Sequence, residues 1–261
     1  MEHTIATSND GSSTLQLTQF GEAYHSTNGA YTEAVHIYIQ CGLEHLFHNI
    51  AYDGTPVINI FDIGLGTGLN CILAWAWQQQ LRQKGLPHPT IHYWGIEKYP
   101  IPLSEIEQLN YPPIIAQHTP LLPDNLTEIF HLMHKCKWEE NIEVSSGFTL
   151  HKTCADIAVL GAEYYREACS RKKKESSGNA TTAAVPAVIF YDTFSPATQP
   201  ELWNEEIFRN IATGCTPGSV IVTYCCKGTV KQALRNTGFT LERLAGPPGK
   251  RHILRGISTC I

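Results

Sequence analysis

The chain has 261 residues, 43% of them hydrophobic, and a formal net charge of −5. That length supports one sizeable α/β core carrying an insertion and an N-terminal extension, and the acidic balance argues against a generic nucleic-acid binder. No apolar run approaches the roughly 18 residues needed to cross a bilayer, and the start MEHTIATSND has neither the basic nor the apolar segment of an export signal, so a soluble, cytoplasmic protein with no membrane partner is expected.

In chain order, PVINIFD (56–62) reads as a buried parallel strand, and FDIGLGTGLN (61–70) turns it into a helix over NCILAWAWQQQLRQ. IHYWGIE (91–97) is the next strand. Residues 100–147 lack strong strand signals, and LTEIFHLMHKCKW puts Leu126, Ile129, Phe130 and Met133 on one helical face, which predicts a helical insertion packed on the sheet. LHKTCADI contains a further short strand. SRKKKESSGNATTAAV predicts a mobile loop over 170–184. PAVIFYD (186–192) and SVIVTYC (219–225) are strands, separated by a helix that opens at Pro200 and ends near Gly214. GFTLERLAG and RHILRGIST flank PPGK as an antiparallel pair.

Alternating strands and helices predict a doubly wound, mostly parallel sheet. Closing such a sheet on an antiparallel hairpin is the arrangement of the class I AdoMet-dependent methyltransferases, a Rossmann-like fold with seven strands; the expected division is residues 1–50 as an N-terminal extension forming a lid over the cofactor site and 51–261 as the methyltransferase domain. AdoMet denotes S-adenosyl-L-methionine.

The nine cysteines are scattered with no CxxC pair, which fits reduced thiols. His131, His134 and Cys136 form the densest ligand cluster but lack a fourth partner, so no metal is expected. Charge is uneven: residues 225–261 carry seven basic groups and one acidic, the remainder 12 basic and 23 acidic. One end of the molecule can therefore attract a polyanion, although a solvated helix face and hairpin would have the same composition.

A dinucleotide loop needs G-x-G-x-x-G, yet Leu69 stands where its third glycine would fall, and no Gly-Lys-Ser/Thr follows. What remains is D-x-G-x-G-x-G (Asp62, Gly64, Gly66, Gly68), a pattern seen in AdoMet-dependent methyltransferases and aminopropyltransferases. Glycines give backbone clearance to the cofactor's amino-acid end, and a carboxylate such as Asp62 can oppose its ammonium group. Glu97, ending the second strand, is placed for the ribose hydroxyls, and Asp156 for the adenine amino group. Asp192 reaches the same sheet edge in YDTFSP, where a carboxylate can orient an amine or take its proton. Phe194 and Trp203 could wall the acceptor pocket or stack on a base, or simply pack loop against helix.

The segments YHSTNGAYTEAVHIYI, FDIGLGTGLN, GIEKYP, YDTFSPATQPELW, TPGSVIVTYCCKGTVKQALRNTGF and GPPGKRHILRG resemble the methyltransferase part of the bacterial MnmC proteins, which act in forming 5-methylaminomethyl-2-thiouridine at the tRNA wobble position. The resemblance runs from about residue 18 to 257. It implies that Asp192 is the active-site aspartate, that Gly64, Gly66, Gly68, Glu97 and Asp156 surround AdoMet, that Tyr24 covers it with His25 and Ser26 in the same lid, and that Lys250 and Arg251 contact tRNA phosphates. Thr193 departs from the Gly or Ala expected after the aspartate. The family's flavin-dependent oxidase domain is absent from this sequence, so the expectation is methylation of an aminomethyl-uridine, with a separate enzyme supplying that group. Rival readings are a spermidine-synthase-like aminopropyltransferase and a non-catalytic RNA-binding protein of the same fold.

Overall fold

The computed structural model describes residues 3–18, 21–50, 56–170 and 185–259. An antiparallel hairpin comes first, β1 (His3–Thr7) and β2 (Ser13–Leu17), as a two-stranded sheet of its own. Its turn caps the helix that follows. Helix α1 (Ala30–Ala34) begins at Gly29, which has no side chain to satisfy the first backbone N–H groups. The hairpin supplies the acceptors instead: Ser8 Oγ takes Ala30 N–H at 3.2 Å, Ser12 Oγ takes Tyr31 N–H at 3.0 Å and Asp10 Oδ2 takes Thr32 N–H at 2.8 Å. Burial alone would raise the Asp10 proton affinity, but the bonds from Ser12, Thr32 and Ser8 hold it well below the usual carboxylate range.

The helical run continues through a π-helical stretch, Val35–Glu44, into α2 (His45–Asn49). Then come β3 (Val57–Ile63), α3 (Leu69–Gln83) and β4 (Thr90–Glu97). Three short helices follow, α4 (Leu103–Ile106), α5 (Tyr111–His118) and α6 (Leu126–Lys135), before β5 (Asn141–Ser145) and β6 (Phe148–Cys154). The second half runs α7 (Ala162–Cys169), β7 (Ala187–Tyr191), α8 (Glu205–Gly214), β8 (Val220–Thr223), α9 (Gly228–Asn236), β9 (Phe239–Ala245) and β10 (His252–Ser258).

The main sheet has the order β5-β6-β4-β3-β7-β8-β10-β9. Strands β6, β4, β3, β7 and β8 are parallel, while β10, β9 and β5 run antiparallel to their neighbours. Alternate residues feed two cores. Ile58 and Ile60 pack with α3 and the N-terminal helical run, and Phe61 and Ile63 pack with α7 and α8. The chain winds outward in both directions from β3 and β7, which places a topological switch point at their carboxyl ends.

Three expectations change. The sheet has eight strands, because NIEVS adds β5 at the edge and the insertion over 100–147 ends in that strand. The first fifty residues are not confined to a covering role, since Ile37 and Leu43 share the core with Ile58 and Ile60. Helix α8 begins at Glu205, with Asn204 Oδ1 accepting Ile207 N–H at 3.0 Å, and Pro200–Leu202 forms a separate 3₁₀ turn. The loop expected over 170–184 lies, beyond Ser170, outside the described residues. Among the described residues, no helix is long and apolar enough to cross a membrane.

Candidate functional site

A cavity of about 950 Å³ opens at the carboxyl edge of the parallel strands. The strand order sets the sequence of groups along its floor. Asp156 follows β6, Glu97 ends β4, Gly64 and Gly66 follow β3, Asp192 follows β7 and Tyr224 follows β8. Tyr24, His25 and Ser26, just after the N-terminal hairpin, border the same space.

The glycine loop is shaped by close approaches as much as by a ligand. Gly64 has φ +92°, and a Cβ there would lie 2.7 Å from the Asp192 carbonyl oxygen. A Cβ on Gly66 would lie 3.1 Å from the Tyr24 ring. Gly68 does not border the cavity; a side chain there would meet His134 Nε2 at 2.6 Å, so this third glycine serves packing of α3 against α6. Asp62 is also misplaced by the sequence reading. The strand pleat turns it into the core beneath α3, where it is fully buried and its Oδ2 accepts the Tyr93 hydroxyl at 2.6 Å. Burial pushes its proton affinity well above the carboxylate range, and it does not face the cavity.

Glu97 and Asp156 do border it. Glu97 Oε2 accepts Gly66 N–H at 3.0 Å and Oε1 accepts Tyr99 N–H at 2.8 Å, so its carboxylate organises the loop while facing the cavity. Burial raises its pKa, opposed by those backbone bonds. Asp156 accepts Ala158 N–H at 2.9 Å and pairs with Lys98 at 2.7 Å, a contact that lowers its pKa.

Asp192 stands beside Gly64. Its Oδ2 accepts Asn70 Nδ2–H at 2.9 Å, and the Tyr38 hydroxyl lies near the carboxylate without a well-formed hydrogen bond. Burial raises its pKa to about 6, with Tyr38 and Asn70 pulling down, Glu33 pushing up and Lys250 pulling down. Phe194 lines the cavity and meets Tyr24 edge-on, ring centroids 5.1 Å apart. Of the readings open for Trp203, the structure shows packing of loop against helix and not a pocket wall: it is 6% exposed, packs on Tyr191 and donates Nε1–H to the Phe194 carbonyl at 2.9 Å. Because α8 starts only at Glu205, the Trp203 ring points into the core and braces the loop from behind.

His25 is half-buried, and burial followed by the nearby Lys250 lowers its pKa to about 4, so the ring is neutral near pH 7. Ser26 Oγ accepts Asn28 N–H at 3.2 Å. Lys250 is not a free phosphate contact: it reaches into the cavity, pairs with Glu33 and lies 5.2 Å from the Tyr224 ring centroid. Arg251 is exposed. Several groups at the site were missed. Asn70 sits inside the quoted loop and could have been flagged as a polar residue opening an apolar helix. Glu22, which accepts Ser195 N–H at 3.1 Å and the Thr198 hydroxyl, and Glu33 arrive by tertiary folding from far upstream, with no local signal.

A comparison with solved structures matches the crystal structure of MnmC2 from Aquifex aeolicus, with a TM-score of 0.66 at 22% identity, over 100% of this chain and 72% of that one. The fold is that of a class I methyltransferase. Residues 176–259 also match the family model described as S-adenosyl-L-methionine-dependent methyltransferase, and AdoMet is the cofactor of this fold. Among curated proteins, the tRNA 5-methylaminomethyl-2-thiouridine biosynthesis bifunctional protein MnmC of Pseudomonas fluorescens is 29% identical over 240 residues, covering 91% of this chain and 32% of that protein. Its counterpart in Delftia acidovorans is 25% identical over 242 residues, covering 92% and 33%. The chain thus spans about a third of the length of the curated relatives it matches.

The residues present fit AdoMet. Glu97, held at the end of the second strand of the motif and facing the cavity, suits a diol, and Gly66, which borders the same cavity, has no side chain to press on the Tyr24 ring. Asp62 and Gly68 do not border the cavity.

Proposed function

We propose that the protein methylates the primary amine of a 5-aminomethyl group on the wobble uridine of tRNA, 2-thiolated or not, giving 5-methylaminomethyl-uridine. The observation that carries this reading is Asp192, a carboxylate at the cavity with its pKa raised to about 6, beside the glycine loop. The likeness to the MnmC proteins over nine-tenths of the chain supplies the acceptor.

AdoMet, when bound, supplies an electrophilic sulfonium methyl group. Glu97 would accept from its ribose hydroxyls and Asp156 from its adenine amino group, with Gly64 and Gly66 giving the loop backbone clearance. Asp192, steadied by Asn70, takes a proton from the acceptor ammonium and so leaves the nitrogen lone pair free. Tyr24 and Phe194, in contact with one another, keep water from that proton transfer. Arg251, with the exposed Lys227 and Arg243, offers phosphate contacts on the basic end of the chain. The aminomethyl group must come from a preceding enzyme.

The aminopropyltransferase reading is separated by ligand: AdoMet, and not its decarboxylated form, is to raise the melting temperature. In cells, deleting the chain is to make 5-aminomethyl-uridine accumulate in tRNA. Unchanged tRNA nucleosides in the deletion strain would refute the proposal.

A further inference from the structure

Glu33 lies in α1, in sequence 217 residues from Lys250, yet the two side chains form an ion pair inside the cavity. Their side chains are only 12% and 26% exposed. The same ammonium faces the Tyr224 ring, so a carboxylate and an aromatic face together make a cation corner. Asp192 is close enough to feel both charges. An ammonium is thus already held next to the group that must receive a proton from an ammonium.

We infer that Glu33 is the binding residue for the acceptor's amine and that Lys250 is its internal occupant, displaced when the acceptor arrives. The inference rests on the proposed aminomethyl acceptor. Lys250 and an aminomethyl group both end in a primary ammonium, and one corner cannot hold two like charges without a cost of the kind that separates partners electrostatically. Displacement is inexpensive because the lysine stem is flexible and the turn carrying it is at the surface. Once the acceptor is docked, one proton passes from its nitrogen to the Asp192 carboxylate. The Glu33 carboxylate pairs with an ammonium and not with a neutral hydroxyl of the same shape, which favours the amine.

The test uses two anticodon stem-loop RNAs, one bearing 5-aminomethyl-uridine and one 5-hydroxymethyl-uridine, bound to the full chain saturated with S-adenosylhomocysteine. The wild type is to prefer the amine by about tenfold or more. Glu33→Gln is to bring the two affinities within about twofold while the hydroxyl RNA binds as before, and Lys250→Met is to raise the amine preference by about threefold or more, since the occupant is gone. Glu33→Gln keeping the full preference, or Lys250→Met leaving it unchanged or lowered, overturns the inference. If Glu33→Gln does not fold, the Lys250→Met ratio decides alone. Wild-type turnover of the amine RNA with AdoMet is measured in parallel, so absence of turnover refutes the proposed reaction and is distinguishable from loss of the Glu33 effect.

Discussion

Asn70 Nδ2 donates to Asp192 Oδ2 at 2.9 Å, tying the first turn of α3 to the end of β7 across 122 residues of sequence. This bond favours the charged form of a carboxylate whose pKa burial raises. Asn70→Ala removes it, so the Asp192 pKa is to rise further. The acid limb of the kcat/KM profile is to move upward by roughly 0.5–1 pH unit, measured with AdoMet and aminomethyl-uridine tRNA.

The wild-type profile has its own expectation. Asp192 must be ionised to accept a proton, so activity is to fall as pH drops through about 6. In Asp192→Asn that limb disappears, and kcat falls by roughly 10²–10⁴-fold, while AdoMet binding, measured by calorimetry, persists.

The same residue makes a stability prediction of opposite sign. Its folded pKa of about 6 exceeds the ordinary 3.8, so the folded state gains from protonation; that gain is complete below about 3.8 and lost as pH rises through about 6. Asp192→Asn removes the half-buried charge and keeps an oxygen for Asn70. At pH 7–8 it is to stabilise the ligand-free protein, by on the order of 1–3 kcal/mol, seen in thermal unfolding. A loss of stability would contradict the burial argument.

Trp203 and Glu97 are to behave differently from each other. Trp203→Ala empties a core position and drops the bond to the Phe194 carbonyl, costing about 3–5 kcal/mol in chemical denaturation. Glu97→Ala removes the acceptor of Gly66 and Tyr99 N–H together with any bond to a ribose, and is to weaken AdoMet by roughly 10–100-fold, with a smaller effect on unfolding.

The strands nearest the site were legible because β3, β4, β7 and β8 are buried on both faces and read as unbroken apolar runs. STLQL and NIEVS, short and at sheet edges, lack that signature, so β2 and β5 went unread. Spacing found the glycine turn but could not tell which residues face outward: the pleat buries Asp62, and Gly68 answers to His134. Sequence left Trp203 between pocket wall and core packing, and the choice is made by Asn204, which caps α8 and puts the helix start past it. Glu22 and Glu33 carry no local mark at all, since the hairpin and α1 bring them to the cavity only in the folded chain.

The central claim is tested most directly by incubating the purified protein with AdoMet and tRNA bearing wobble 5-aminomethyl-uridine and analysing the nucleosides by mass spectrometry. Conversion to 5-methylaminomethyl-uridine, abolished in Asp192→Asn, is the result predicted here. A protein that binds AdoMet and that tRNA yet leaves the aminomethyl group unmethylated would contradict it.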